Sequence, residues 1–157
     1  MKKILSVLIA ILLTITLDAQ QGKELMYELT QFDSYLVTPI TSKGIAEGLH
    51  GEAHILKQEK FNTLIYDLIK ETIAKEKLEI LHARTFLSFE IDSKGNIQNY
   101  WYSIDKNDIN VLTENDLLEL ISKLKKISID TKIVKIEKGD YATVGCSLNP
   151  KGCRHNK

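Results

Sequence analysis

The chain has 157 residues, of which 43% are hydrophobic and 27% charged, and its 21 basic residues equal its 21 acidic ones. This length and composition are typical of one ordinary globular domain, and they exclude a disordered tail, a collagen-like repeat and a disulfide-dense miniprotein. The zero net charge argues against binding along a nucleic-acid duplex, which needs a basic excess. We therefore expect no nucleic-acid partner.

Residues 1–19 predict a secretory signal peptide. Two lysines precede an apolar stretch that runs from Ile4 to Leu17. A bilayer-spanning helix needs roughly 20 apolar residues, so this stretch is short for a permanent anchor and typical of a signal peptide. We expect cleavage near Ala19 and Gln20, with an uncleaved anchor as the alternative.

Removal of this segment takes away two lysines and one aspartate and leaves a net charge of −1. No other apolar run approaches the length needed to span a membrane. We therefore expect residues 20–157 to form a single domain without a membrane span, located in the periplasm or secreted.

Apolar spacing predicts two helices in the first half of the chain. Leu25, Leu29, Phe32 and Leu36 fall on one helical face and predict a helix over 22–36, which Pro39 stops because it has no N–H to donate. A loop with three glycines is expected over 40–52. A second helix, over 58–77, is predicted from a longer apolar stripe: Phe61, Leu64, Ile65, Leu68, Ile69 and Ile73.

The period changes to two from Arg84 onward, which predicts a β-hairpin. Alternate apolar residues run to Ile91, the turn Ser93 to Asn96 contains Gly95, and a second β-rich run covers 97–104. Thr113 to Asp116 resembles a helix-capping box before an amphipathic helix that ends near Lys126.

Two further strands are predicted over 127–136 and 140–148, around a turn at Lys138 to Asp140. The predicted order is helix, helix, strand, strand, helix, strand, strand. This order predicts an α+β fold, in which a small antiparallel sheet packs against two or three amphipathic helices.

Residues 84–126 resemble the C-terminal domain of TonB-like proteins. Phe89, Ile91, Asp92, Gly95 and Ile97 match the hairpin, and the helix is matched by Leu117, Leu120, Ile121 and Leu124. This chain differs from TonB itself in its predicted cleavable signal and its content of only two prolines. The resemblance implies a small periplasmic or surface domain that binds a partner by adding a strand at a sheet edge.

His50, Glu52 and His54 are the candidate metal ligands. In a strand these alternate residues point to one face, so they could converge on a divalent metal ion, either in a metal-binding protein or in a metal-dependent hydrolase. The spacing is not that of the H-E-x-x-H motif. The alternative is a polar loop that happens to contain two histidines.

Tyr100, Trp101 and Tyr102 suggest a second binding role. In a strand Trp101 faces away from the two tyrosines, so we expect Trp101 to pack in the core and Tyr100 and Tyr102 to be partly exposed. Such a tyrosine pair could contact a carbohydrate. Acidic Asp105 and Asp108 nearby disfavour nucleic acid.

Cys146 and Cys153 lie close in sequence, with turn-forming Asn149, Pro150 and Gly152 between them. In an oxidising compartment we expect them to form a disulfide. Free thiols are one alternative. A metal site with His155 is another, although it would need a further ligand.

The sequence contains no nucleophile elbow, Walker A, dinucleotide-binding or C-x-x-C motif. The leading hypothesis is therefore an exported, non-catalytic interaction module that needs no cofactor and binds an envelope or secreted protein.

Overall fold

The computed structural model describes residues 24–40 and 48–150. The predicted signal peptide (1–19) and Cys153 lie outside these residues. The described part is α+β, as the sequence predicts, with a five-stranded antiparallel sheet, a two-stranded sheet and three helices. None of these helices is long and apolar enough to cross a membrane.

The elements in chain order are β1 (Leu25–Leu29), β2 (Ser34–Pro39), β3 (Glu52–Ile55), α1 (Gln58–Lys70), α2 (Lys75–Ile80), β4 (Phe86–Asp92), β5 (Ile97–Asp105), α3 (Glu114–Leu124), β6 (Val134–Glu137) and β7 (Tyr141–Ser147). The large sheet has the strand order β1-β2-β5-β4-β7, and β3 pairs with β6 in the small one. All of these pairings are antiparallel.

The predicted helix over 22–36 is wrong, because β1 and β2 form a hairpin there. Leu29 and Phe32 are exposed, so the four apolar residues do not share one buried face. The turn places Asp33 at a positive φ of 56°, a left-handed conformation that aspartate adopts more readily than most residues. The β-forming residues Tyr35 and Val37 then pair with β5, which fixes the strand.

The core-facing apolar stripe predicted over 58–77 is confirmed, but the helix that carries it is divided in two. Phe61, Ile65, Ile69 and Ile73 are buried as expected. Helix α1 ends at Lys70, and α2 begins at Lys75 after a short turn.

The predicted hairpin around Asp92 and Gly95 is confirmed as β4 and β5. The Asp92 carboxylate accepts the backbone N–H groups of Lys94 and Asn96, each at 2.8 Å. Gly95 has a φ of +88°, and a Cβ there would collide with the Ile129 carbonyl. Glycine is therefore required at this turn.

The capping box at α3 is also confirmed. Thr113 Oγ1 accepts the backbone N–H of Asp116, whose carboxylate accepts the Thr113 backbone N–H at 2.7 Å. Strand β7 confirms the prediction over 140–148. The strand predicted over 127–136 is shorter than expected, because only Val134–Glu137 pairs as β6.

The core lies between α1, α3 and one face of the large sheet. The rings of Phe61 on α1 and Phe89 on β4 stack at a centroid distance of 6.5 Å. Tyr102 Oη on β5 donates a hydrogen bond of 2.8 Å to the Leu117 carbonyl on α3. Both helices therefore cover the sheet face that Phe89 and Tyr102 share.

Candidate functional site

The outer edge of β1 is one boundary of the large sheet, and no described strand lies beyond it. The bonds Ile40 N–H to the Glu24 carbonyl and Thr30 N–H to the Ser34 carbonyl mark the hydrogen-bonded pairs of the β1–β2 ladder. Hydrogen-bonded and non-hydrogen-bonded pairs alternate along an antiparallel ladder. Tyr27 and Leu29 therefore form non-hydrogen-bonded pairs with their partners on β2. Their N–H and C=O groups therefore point away from β2.

Two apolar side chains at this edge lie next to the core but remain partly exposed to water. Tyr27 lies beside buried Val37, and Leu29 beside half-buried Tyr35, on the face that the helices cover. Yet Tyr27 is 40% exposed and Leu29 61% exposed, whereas Leu25 is buried. An added strand with apolar residues on this face would shield them from water.

Acidic side chains surround the same edge. Glu114, the first residue of α3, accepts the backbone N–H groups of Glu24 and Leu25 at 3.0 and 3.1 Å. Burial, together with the Glu114 charge, raises the pKa of Tyr27. Glu28 is exposed on the opposite face of the strand. Within the described part of the chain, the edge is thus closed by a carboxylate at Leu25 and open at Tyr27 and Leu29.

The opposite boundary of the sheet, β7, is covered at its start by residues 49–51. Gly51 N–H donates to the Tyr141 carbonyl at 2.7 Å, and Asp140 N–H donates to the Leu49 carbonyl at 2.7 Å. The Asp140 carboxylate also accepts the Leu49 N–H at 2.9 Å. These bonds occupy backbone groups that an exposed edge would offer to another chain.

The end of β7 is held by α1 and by the turn 81–85. Tyr66 Oη donates to the Ser147 carbonyl at 3.1 Å. Leu148 N–H donates to the Thr85 carbonyl at 2.8 Å, and Ser147 Oγ donates to the Ala83 carbonyl at 3.2 Å.

The turn 81–85 is in turn fixed by the buried carboxylate of Asp108. His82 contributes two hydrogen bonds, from its backbone N–H to Oδ2 at 2.8 Å and between Nδ1 and Oδ1 at 2.7 Å. The Thr85 hydroxyl donates to Oδ2 as well. The bond to Asp108 raises the pKa of His82.

A second buried carboxylate lies beside this network. Arg84 Nη2 is 2.7 Å from Asp105 Oδ2, and the Asp105 N–H donates to Thr85 Oγ1 at 3.1 Å. The hydrogen bond from the Asn107 backbone N–H, aided by the Arg84 charge, holds the pKa of Asp105 below its ordinary value despite burial. A histidine held by a buried carboxylate can exchange protons, but the hydrogen bonds of this network attach the turn to β5 and β7, so we assign it a structural role.

The three predicted metal ligands are not all brought together. His50 Nε2 lies 3.2 Å from Thr143 Oγ1, and its ring packs edge-on against Tyr141. His54 Nε2 instead lies 3.8 Å from Glu52 Oε2, and both of its charged neighbours, Glu52 and Glu137, belong to the small sheet. His50 precedes β3, so the alternation of that strand does not extend to it.

The charges around His54 are already paired. Glu137, on β6, lies 3.6 Å from the His54 ring and 2.8 Å from Lys135 Nζ, while Lys138 Nζ lies 3.2 Å from Glu52. Residues 24–40 and 48–150 hold no group of three His, Cys, Asp or Glu side chains that could bind a metal ion.

The predicted facing of the three aromatic residues is wrong. Tyr102 is fully buried and Tyr100 nearly so, whereas Trp101 is half-buried on the other face. The register places Tyr102 opposite Leu87 and Tyr100 opposite Phe89, in the row that faces the helices. The tyrosines therefore offer no open ring face to a carbohydrate.

Cys146 is buried on β7. Its predicted disulfide partner, Cys153, lies outside the described residues, so the disulfide stays a prediction.

The TonB-like unit forms a strand, turn, strand and helix, but both of its strands are internal. β4 lies between β5 and β7, and β5 lies between β2 and β4. The free edge belongs to β1, which sequence reasoning missed because it predicted a helix there. The β-forming residues Tyr27, Tyr35, Val37 and Thr38 were the available signal.

The sequence matches no family model and no curated protein. The fold is similar to the crystal structure of a DUF5043 family protein from Bacteroides uniformis ATCC 8492, with a TM-score of 0.58 and 8% sequence identity. The similarity covers 82% of this chain and 86% of that one. At this identity the likeness concerns the fold alone.

Proposed function

We propose that this protein is an exported, non-catalytic binding module that accepts an extended segment of an envelope or secreted protein as a sixth strand beside β1. The observation that carries the proposal is the outer edge of β1, where the N–H and C=O groups of Tyr27 and Leu29 point away from the sheet. Main-chain hydrogen bonds to such an edge supply affinity, and alternate side chains supply specificity.

The exposed apolar residues support the same assignment. Met26, Tyr27 and Leu29 lie on the strand, and Phe32 lies at the hairpin turn beside it, 72% exposed. Native proteins usually protect an edge strand by charge, proline, a bulge or a covering segment. The edge of β1 carries charge at Glu28 but also keeps this apolar surface, which is suited to a partner.

The test places a photo-crosslinking amino acid at Leu29 and compares crosslinking to envelope and secreted proteins in three backgrounds: wild type, Tyr27→Ala and Tyr27→Pro. Alanine removes the ring but keeps the outward N–H, and proline removes both. Because one backbone hydrogen bond contributes about 0.5–1.5 kcal/mol, we expect the proline variant to bind its partner about twofold to twelvefold more weakly than the alanine variant.

The matched control is the same crosslinker at Ile80 on α2, which is 64% exposed and distant from β1 in sequence. It should give no product with the same partner. Equal losses in the alanine and proline variants would show that the partner contacts only the side chain, and strand addition would be wrong.

A further inference from the structure

We infer that Glu28 and Glu114 make the outer edge of β1 selective: they disfavour pairing with a second copy of this chain and favour a segment with a basic residue opposite Glu28. This inference rests on the proposed function and specifies the partner of the same edge.

An added strand forms its hydrogen-bonded pairs with Tyr27 and Leu29, because their backbone groups point outward. Glu28 lies between them, so it becomes a non-hydrogen-bonded pair with the residue across from it. In antiparallel sheets such pairs bring the Cα atoms to about 4.5 Å, and their side chains are the closest across the ladder. The charge opposite Glu28 therefore matters more than the charge at the neighbouring positions.

A second copy of the chain meets an obstacle in each of the two central registers. In the register centred on Glu28, two glutamates face each other directly, and like charges in that position are destabilising. In the register centred on Tyr27, Leu29 of one copy must pair with Leu25 of the other. There the Glu114 carboxylate already accepts the Leu25 N–H at 3.1 Å.

A partner segment avoids both obstacles if it carries a lysine or arginine opposite Glu28 and stops before Leu25. Its residues on either side of the basic one face the helices, beside Tyr27 and Leu29, and gain most if they are apolar. The edge thus fits an extended apolar segment with a basic residue at its centre.

The protein itself supplies the probe. Sedimentation equilibrium is measured for wild type, for Glu28→Lys and for an equimolar mixture at the same total concentration. When two copies of either protein pair in the register centred on residue 28, like charges face each other there. A mixed pair instead has a glutamate opposite the substituted lysine. From the range of cross-strand pair energies, we expect the mixture to associate about threefold to tenfold more tightly than either protein alone, with a smaller gain at high salt.

Glu79→Lys is the control, because Glu79 is on α2 in an exposed ion pair with Lys75 and its substitution changes net charge equally. Its mixture with wild type should show no gain. Tyr27→Pro in both partners should abolish the gain of the Glu28→Lys mixture.

Glu28→Val separates this inference from the proposed function. It removes the like charges, so it should associate with itself through β1. If it does, and the charge-matched mixture gains nothing, the edge accepts a strand but Glu28 does not select it, and the inference is wrong while the proposed function stands. If neither associates and Tyr27→Pro leaves the crosslinking at Leu29 unchanged, both are wrong.

Discussion

The two boundaries of the large sheet are treated in opposite ways. β7 is covered at its start by residues 49–51 and near its end by Tyr66, whose hydroxyl donates to the Ser147 carbonyl. Among residues 24–40 and 48–150, β1 is covered only at Leu25, by the Glu114 carboxylate. Open edges carry a risk of uncontrolled pairing. The two edges therefore differ: the ends of β7 are bonded to neighbouring segments, whereas the backbone groups of Tyr27 and Leu29 on β1 point outward.

The largest expected effect comes from disrupting the covered edge. A Cβ at Gly51 would lie 2.5 Å from the Glu137 carbonyl and 2.8 Å from the Gly139 N, and these backbone atoms cannot move aside. We expect Gly51→Ala to lower the free energy of unfolding by about 1–3 kcal/mol, measured by urea denaturation.

Gly145→Ala on β7 is the matched control. Its Cβ would lie 3.2 Å from Ser88 Oγ and 3.3 Å from the Leu87 carbonyl, so it should lose much less stability. If the two variants lose equal stability, the covering segment does not depend on the close approach at Gly51.

A smaller effect separates the two sides of β1. The N–H of Met26 points into the β1–β2 ladder, whereas the N–H of Tyr27 points outward. Met26→Pro should lower the free energy of unfolding by about 0.5–1.5 kcal/mol, because it removes one hydrogen bond of the ladder, and Tyr27→Pro should cost less because proline is tolerated on the open side of an edge strand. Urea denaturation of both variants tests this. Equal losses would mean that the assigned ladder alternation is wrong.

The smallest effect concerns pH and the hydrogen bonds of His82 and Thr85 to Asp108, a clamp that holds the turn 81–85 beside the end of β7. The hydrogen bond to Asp108 raises the pKa of His82, with a further contribution from Asp105 and an opposing one from Arg84. The protonated histidine therefore stabilises the fold below its unfolded pKa of about 6.5, and this contribution is lost as the pH rises through the higher folded pKa.

Wild type should exceed His82→Gln in stability by more at pH 5.5 than at pH 8.5, values that lie about one unit or more on either side of the ordinary histidine pKa. An NMR titration of His82 should give a midpoint above that of an unperturbed histidine, and Asp108→Asn should lower it. A midpoint unchanged by Asp108→Asn would mean that Asp108 does not hold His82. The pairing of β1 with β2 should not change with pH or with either substitution.

The sequence predicted the β4–β5 hairpin and helix α3 because their signals are local. Asp92 and Gly95 close a turn through bonds within a few residues, and Thr113 with Asp116 caps its own helix. The apolar stripe of α1 is equally local.

The hairpin β1–β2 could not be read in the same way. Leu25, Leu29, Phe32 and Leu36 match a helical period by chance, and the residues of β5 that pair with β2 lie 65 to 71 positions later. The clamp of His82 and Asp108 was missed for a related reason. Twenty-six residues separate the two, and neither carries a recognisable motif.

The sequence by itself determined the α+β class, the core-facing stripes and the residues that begin and end the local elements, since periodicity and capping act within one or two turns of chain. Only the tertiary structure decided which strand lies at an open edge, which face Tyr100 and Tyr102 take and which histidine meets a carboxylate. These depend on strand order and register, which are set by contacts between distant segments. The candidate site therefore lies on β1, where local periodicity predicted a helix and long-range pairing made a strand.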